Sequence, residues 1–247
     1  MTGLARRIVQ SLVDQVPRDH WEGEQAFRRR RRVVLGTAAA GTLLLNRSLD
    51  TKPDSNAFYV GTAAVAATWA AGGFASGRLH LGHLPGPGST LRRPLLTPVV
   101  TGVAAFGGFY ACAFVAQRVP FLERAISSVM EYAHEGSNTL VLATTLANGA
   151  AEEVFFRGAL YAAIAQPHQV AVSTVAYTAS TLGTKNPALV LAASVMGTLF
   201  GLQRRATGGI QAPMLTHLTW STLMLRFLPP LFRRTSAARA LERAPLG

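Results

Sequence analysis

The tightest constraint in this sequence is a group of three ionisable residues inside an uncharged stretch. Glu152, Glu153 and Arg157 stand between Thr139–Ala151, which carries no formal charge, and Gly158–Thr184, which carries none apart from His168. The three sit inside what reads as one long apolar helix, about Thr139–Ala165. A charged side chain near a bilayer centre costs about 2.5–3.5 kcal/mol on insertion scales. Such residues usually face the interior of a bundle and mark a working site. A chain that holds three of them must fold so that they meet partners away from lipid.

Composition supports that setting. Of 247 residues, 49% are hydrophobic and only 15% charged, and the charges bunch between long uncharged runs. That is the pattern of a polytopic membrane protein. The net charge of +12 does not point to nucleic acid. Its arginines flank hydrophobic segments and read as a topology signal and an attraction to anionic headgroups. The single Cys112 supplies neither a disulfide framework nor a paired-cysteine metal site. The first thirty-odd residues, polar and basic, are not expected to be a signal peptide.

Taken in order, residues 1–32 are expected to form a basic cytoplasmic arm. Within it Leu4, Ile8, Leu12 and Val16 recur at helical spacing, as in a surface-lying amphipathic helix. The run Arg28 to Arg32 argues for the cytoplasmic side. Residues 33–138 hold apolar segments at Val33–Leu45, Ala57–Ala75 and Pro94–Ala116, then an interfacial amphipathic helix over Gln117–Asn138. Residues 139–232 form the core: Thr139–Ala165, a break at Gln166-Pro167-His168, Val170–Leu182, Ala188–Leu202 and Ile210–Leu228. A basic tail, 233–247, follows. The expected fold is all-α, a polytopic transmembrane helix bundle of about seven or eight membrane segments. Seven segments from a cytoplasmic start leave Arg233, Arg234, Arg239 and Arg243 outside, against the positive-inside rule. Either one segment does not span, or Leu223–Phe232 re-enters the membrane.

Glu153 and Arg157 are spaced i,i+4 with the acid first, the favourable order for a helical ion pair. Glu152 points about 100° away from Glu153. Its one evident partner on its own helix is Asn148, while Gly149 leaves room for a backbone or a water. A buried carboxylate of this kind is a candidate general base. His217 is the only histidine inside a clear span, with Ser221 one turn later. Pro213, one turn earlier, removes a helical donor and loosens the segment. His80 and His83 lie in a Gly/Pro-rich loop and read as solvated.

Two motifs together resemble a known family. Glu152-Glu153-x-x-x-Arg157 is followed by Arg204-Arg205-Ala206-Thr207-Gly208-Gly209-Ile210-Gln211-Ala212-Pro213-Met214-Leu215-Thr216-His217. The order and spacing are similar to those of the CPBP intramembrane proteases, which include the CAAX prenyl endopeptidases and the Abi proteins. The resemblance covers about residues 139–227. It implies that Glu152 activates a water and that Glu153 and Arg157 support it. The family's Phe-x-x-x-His motif aligns with Tyr177-Thr178-Ala179-Ser180-Thr181, so Thr181 stands where a histidine is expected. The family's last motif, His-x-x-x-Asn or Asp, is here His217 to Ser221.

These departures shape the expectation. Threonine is neither a neutral-pH base nor a first-choice zinc ligand. A metal, if bound, would be zinc held by Glu152 and His217, a thin set. The alternative is a metal-free site in which Glu152 is the base and His217 and Ser221 stabilise the oxyanion. His168, in a loop, is a poor substitute ligand. The leading expectation is an intramembrane endopeptidase acting on a membrane-associated peptide or protein. Its partners are the lipid bilayer and that substrate, with no nucleic acid, and its location is a bacterial cell membrane with the N-terminus cytoplasmic. The competing expectations are an inactive pseudoprotease that binds a membrane partner, and a small transporter using the carboxylates as a proton relay. The absence of repeated halves with broken helices argues against the last.

Overall fold

The structure, a computed structural model, describes residues 22–243 apart from 53, 87–89 and 136–137. The expected amphipathic helix at Leu4–Val16 lies outside the described residues. Nine α-helices and one two-stranded hairpin are described: α1 Glu24–Leu49, α2 Asn56–Ser76, β1 Leu84–Pro85 paired antiparallel with β2 Leu91–Arg92, α3 Leu96–Ala116 and α4 Pro120–Glu135. The rest are α5 Asn138–Glu152, a π-helix over Glu153–Leu160, α6 Tyr161–Ala163, α7 Gln169–Thr181, α8 Pro187–Thr207 and α9 Gln211–Arg243.

Side-chain caps set several boundaries. Ser55 Oγ accepts from the Phe58 amide at the start of α2. Asn186 Oδ1 accepts from Ala188 and Leu189 at the start of α8, where Pro187 takes the first turn. The α8 C-terminus closes on Gly208 at φ 73°, the left-handed conformation that glycine adopts at low cost.

Among the described residues three helices are long and apolar enough to cross a membrane: Asn56–Ser76, Leu96–Ala116 and Pro187–Thr207. The expected seven or eight segments include these three. The others do not meet that measure for visible reasons. α1 contains the arginine run, α5 and the π-helix carry the two glutamates and Arg157, and α7 has only 13 residues. Large apolar side chains such as Leu35, Val60, Phe74, Leu96, Val175 and Leu191 stand exposed on the outside of the bundle. A surface of that kind suits lipid and not water.

The continuous rod of α5, the π-helix and α6 sits at the centre. It packs against α1, α2, α7, α8 and α9. Its core contacts are aromatic. Trp69 of α2 stacks on Phe155 at 4.7 Å, and Phe156 meets the Tyr177 ring of α7 edge-on at 4.8 Å. Small residues allow the close approach: a Cβ added at Gly73 would strike Val154, and one at Gly41 would strike Trp69.

The structure differs from expectation at four places. α1 starts at Glu24, so the end of the supposed arm is helical, and Arg30 is buried. Arg30 bonds to Glu22, to Ser76 Oγ at 3.0 Å and to the Arg78 carbonyl at 3.0 Å, tying α1 to the end of α2. Leu223–Phe232 does not turn back, because α9 runs on through Pro229 and Pro230. Leu228 and Phe232 pack with Ala113 and Met130, and Gln117 Nε2 donates to the Leu231 carbonyl at 2.9 Å. The basic tail from 233 continues that helix to Arg243. Pro213 falls in the first turn of α9, where proline is tolerated. The Gly209 carbonyl, which lacks a helical donor there, accepts from Thr207 Oγ1 at 3.3 Å.

Candidate active site

The site forms where the central rod changes from α-helix to π-helix, at Glu152 and Glu153. Single π turns inside helices recur at functional sites because the widened ladder re-aims side chains. Here Glu153 and Arg157 are fully buried, and Arg157 Nη1 donates to Glu153 Oε1 at 3.2 Å. Arg157 Nη2 donates to the Gly197 carbonyl of α8 at 3.1 Å, and Arg204 Nε donates to the Arg157 carbonyl at 2.8 Å. The guanidinium lies between two rings, 4.5 Å from the Tyr177 centroid and 5.0 Å from that of Phe200. His217 stacks on Phe200 at 4.8 Å. Guanidinium stacking between aromatic faces holds a charge out of lipid at reduced cost.

Glu153 Oε1 also meets His217 Nδ1 at 3.0 Å. An ionised carboxylate only accepts, so the proton in that bond belongs to Nδ1. This places a proton on Nδ1 and leaves Nε2 outside that bond. The same ring edge lies over Gly149, where an added Cβ would stand 3.5 Å from Nε2. The imidazole therefore packs beside Gly149.

Glu152 turns the other way, as its helical position requires. Tyr177 Oη donates to Glu152 Oε2 at 2.7 Å. Asn148, expected as the partner of Glu152, instead donates from Nδ2 to the Thr62 carbonyl at 3.1 Å and the Thr144 carbonyl at 2.9 Å. Backbone acceptors within reach outcompete a carboxylate one turn away.

Glu152, Tyr177, Thr181, His217 and Ser221 all line one cavity of about 510 Å³. Most of its wall is apolar, contributed by α1, α2, α3, α4, α8 and α9. The carboxylate, phenol and imidazole form its polar part. Its lining takes no residue from 66–108 or from 197–216, so it does not reach the end of the bundle that carries the hairpin. Thr181 Oγ1 donates to the Thr178 carbonyl of its own helix at 2.7 Å. Ser221 is buried one turn beyond His217. Glu153 and Arg157 stand behind this wall.

Sequence reading assigned no role to Tyr177, Phe200 or Gly197. The first carried a visible signal, a hydroxyl where the resembling motif has phenylalanine. The other two act across helices and had none.

Catalytic zinc sites use three protein ligands and keep one open position. Among the described residues no group of three or more His, Cys, Asp or Glu side chains could hold a metal. His217 Nδ1 is committed to Glu153, leaving Glu152 and one imidazole nitrogen. The residues present do not fit a zinc centre.

The fold and site define a class: a helical bundle suited to a membrane, with paired carboxylates and a histidine meeting at a mainly apolar cavity. Residues 135–223 match the family model described as type II CAAX prenyl endopeptidase Rce1-like. That stretch runs from α4's last residue into α9 and contains every candidate site residue, so the resemblance to the CPBP/CAAX proteases is borne out over it. The family and the apolar helices together point to a membrane protein. No curated protein and no solved structure matches the chain.

Proposed function

We propose that this protein is an intramembrane endopeptidase of the CAAX type, hydrolysing a peptide bond of a membrane-associated substrate with a water activated by Glu152. The observation that carries this reading is the convergence of Glu152, His217 and Ser221 on one cavity. The mainly apolar wall suits a substrate segment that is itself apolar.

In this reading Glu152 takes a proton from water as the oxygen adds to the scissile carbonyl carbon. The oxyanion is held by His217, donating from Nε2 as an imidazolium, and by the Ser221 hydroxyl. The C–N bond then breaks, and the proton on Glu152 passes to the leaving amine. The buried set is electroneutral when one proton is shared between Glu152 and His217, balancing Glu153 and Arg157. Glu153 supports the step by orienting the imidazole, as carboxylates do in other hydrolases. No step uses a metal, so cleavage of membrane peptides, followed by mass spectrometry, is expected to proceed at the same rate with and without a zinc chelator. A rate that collapses on chelation and returns with zinc would contradict the mechanism. The bacterial membrane setting and cytoplasmic N-terminus remain part of the proposal.

A second reading, the pseudoprotease, is favoured by one observation. Thr181 stands where the resembling motif has histidine, and its hydroxyl is bonded to its own helix. The two readings separate on Thr181→His. If hydrolysis is native but lacks one base, this variant raises turnover about 10-fold or more. A parent with no turnover that gains it only with the histidine is a pseudoenzyme. The transporter reading is disfavoured by a cavity whose lining does not extend to the hairpin end of the bundle.

A further inference from the structure

The phenol of Tyr177 has a fixed address. Its ring is nearly buried, held on one face by the Arg157 guanidinium at 4.5 Å and by the Phe156 ring at 4.8 Å. Gly197 lets it sit there, since a Cβ at that position would come within 3.2 Å of Tyr177 Cδ1. None of these contacts needs the hydroxyl; phenylalanine would make them equally well. The hydroxyl's recorded partner is Glu152 Oε2, at 2.7 Å. Among the described residues it is also the one hydrogen-bond donor to that carboxylate: the two bonds of the Arg157 guanidinium go to Glu153 and the Gly197 carbonyl, and its Nε has no partner.

A glutamate side chain facing a cavity has three rotatable bonds, and an unrestrained carboxylate visits several rotamers. One short bond from a clamped ring removes that freedom. It occupies Oε2 and leaves Oε1 for a ligand in the cavity. We propose that Tyr177 is a positioning residue, whose hydroxyl holds the Glu152 carboxylate in one orientation at the cavity wall. The inference rests on Glu152 acting as the base, and it gives α7 a working part in the site that Thr181 does not supply. Such supporting bonds matter because misplacement of a base by a fraction of an ångström to 1 Å lowers rate steeply.

The test is Y177F, studied in the full-length protein in lipid nanodiscs. Infrared difference spectra identify the Glu152 carboxyl band by its loss in E152Q. In Y177F that band is expected to shift, while the protein still folds with the parent's helix content because the ring contacts remain. With a peptide that the parent cleaves, kcat is expected to fall about 10- to 100-fold, the range for losing a hydrogen bond to a charged group, and KM to change less than 2-fold. An unmoved band, or an unchanged kcat, overturns the proposal. If neither parent nor E152Q cleaves any peptide while the Y177F band still shifts, the hydrolytic reading falls and the hold of Tyr177 on Glu152 stands.

Discussion

Glu152→Gln is expected to lower kcat about 10²- to 10⁴-fold, the span that a positioned general base contributes, without unfolding the protein. The amide keeps the size of the side chain, and its oxygen still accepts the Tyr177 hydroxyl that now meets Oε2 at 2.7 Å. What is lost is the group that receives the proton of water. Glu152 lines the cavity, and the Glu153–Arg157 pair behind it is left intact. Equal turnover by parent and variant on the same membrane peptide would remove Glu152 from the chemistry.

The second large effect concerns stability. Arg157 and Glu153 are both fully buried, and Arg157 supplies the ion pair, the Gly197 bond and the stack between Tyr177 and Phe200. Arg157→Met leaves Glu153 charged beside a single histidine. Breaking a buried pair from one side costs about 3–5 kcal/mol. Unfolding followed by circular dichroism in mixed micelles should report a loss of that size. The double variant Glu153→Leu with Arg157→Met is expected to recover most of it, since an apolar replacement of both partners is often neutral. It should stay inactive, because the imidazole has lost the carboxylate that fixes it. A single variant as stable as the parent would show that the pair is solvated and the site more open than described.

The parts of this arrangement that the sequence exposes are local ones. The i,i+4 spacing of Glu153 and Arg157 is a property of one helix. Gln166-Pro167-His168 marks a boundary through proline geometry. α2 and α3 stand out as continuous apolar runs. The Glu152 and His217 motifs were visible because ionisable residues are costly in an apolar helix. Non-local features were not visible. No spacing rule says that Tyr177, twenty-five positions on, reaches Glu152 while Asn148 does not. Arg30 looked like one more member of a topology signal, and its bonds to Glu22, Ser76 and the Arg78 carbonyl distinguish it from its neighbours. The last segment was expected to end at Leu228, but α9 runs on through Pro229 and Pro230. Packing of Leu228 and Phe232 carries the helix through them. The π-helix at the site left no sequence mark, since its register depends on the helices around it.

The most direct test of the account uses water labelled with oxygen-18. The purified protein in nanodiscs is incubated with membrane-embedded peptides in that solvent, and new C-termini are read by mass spectrometry. The account predicts one oxygen-18 atom in each C-terminus newly made by the parent, and a yield of such termini about 10²- to 10⁴-fold lower from Glu152→Gln. Labelled termini in equal yield from both proteins, or no new termini from the parent, would contradict it.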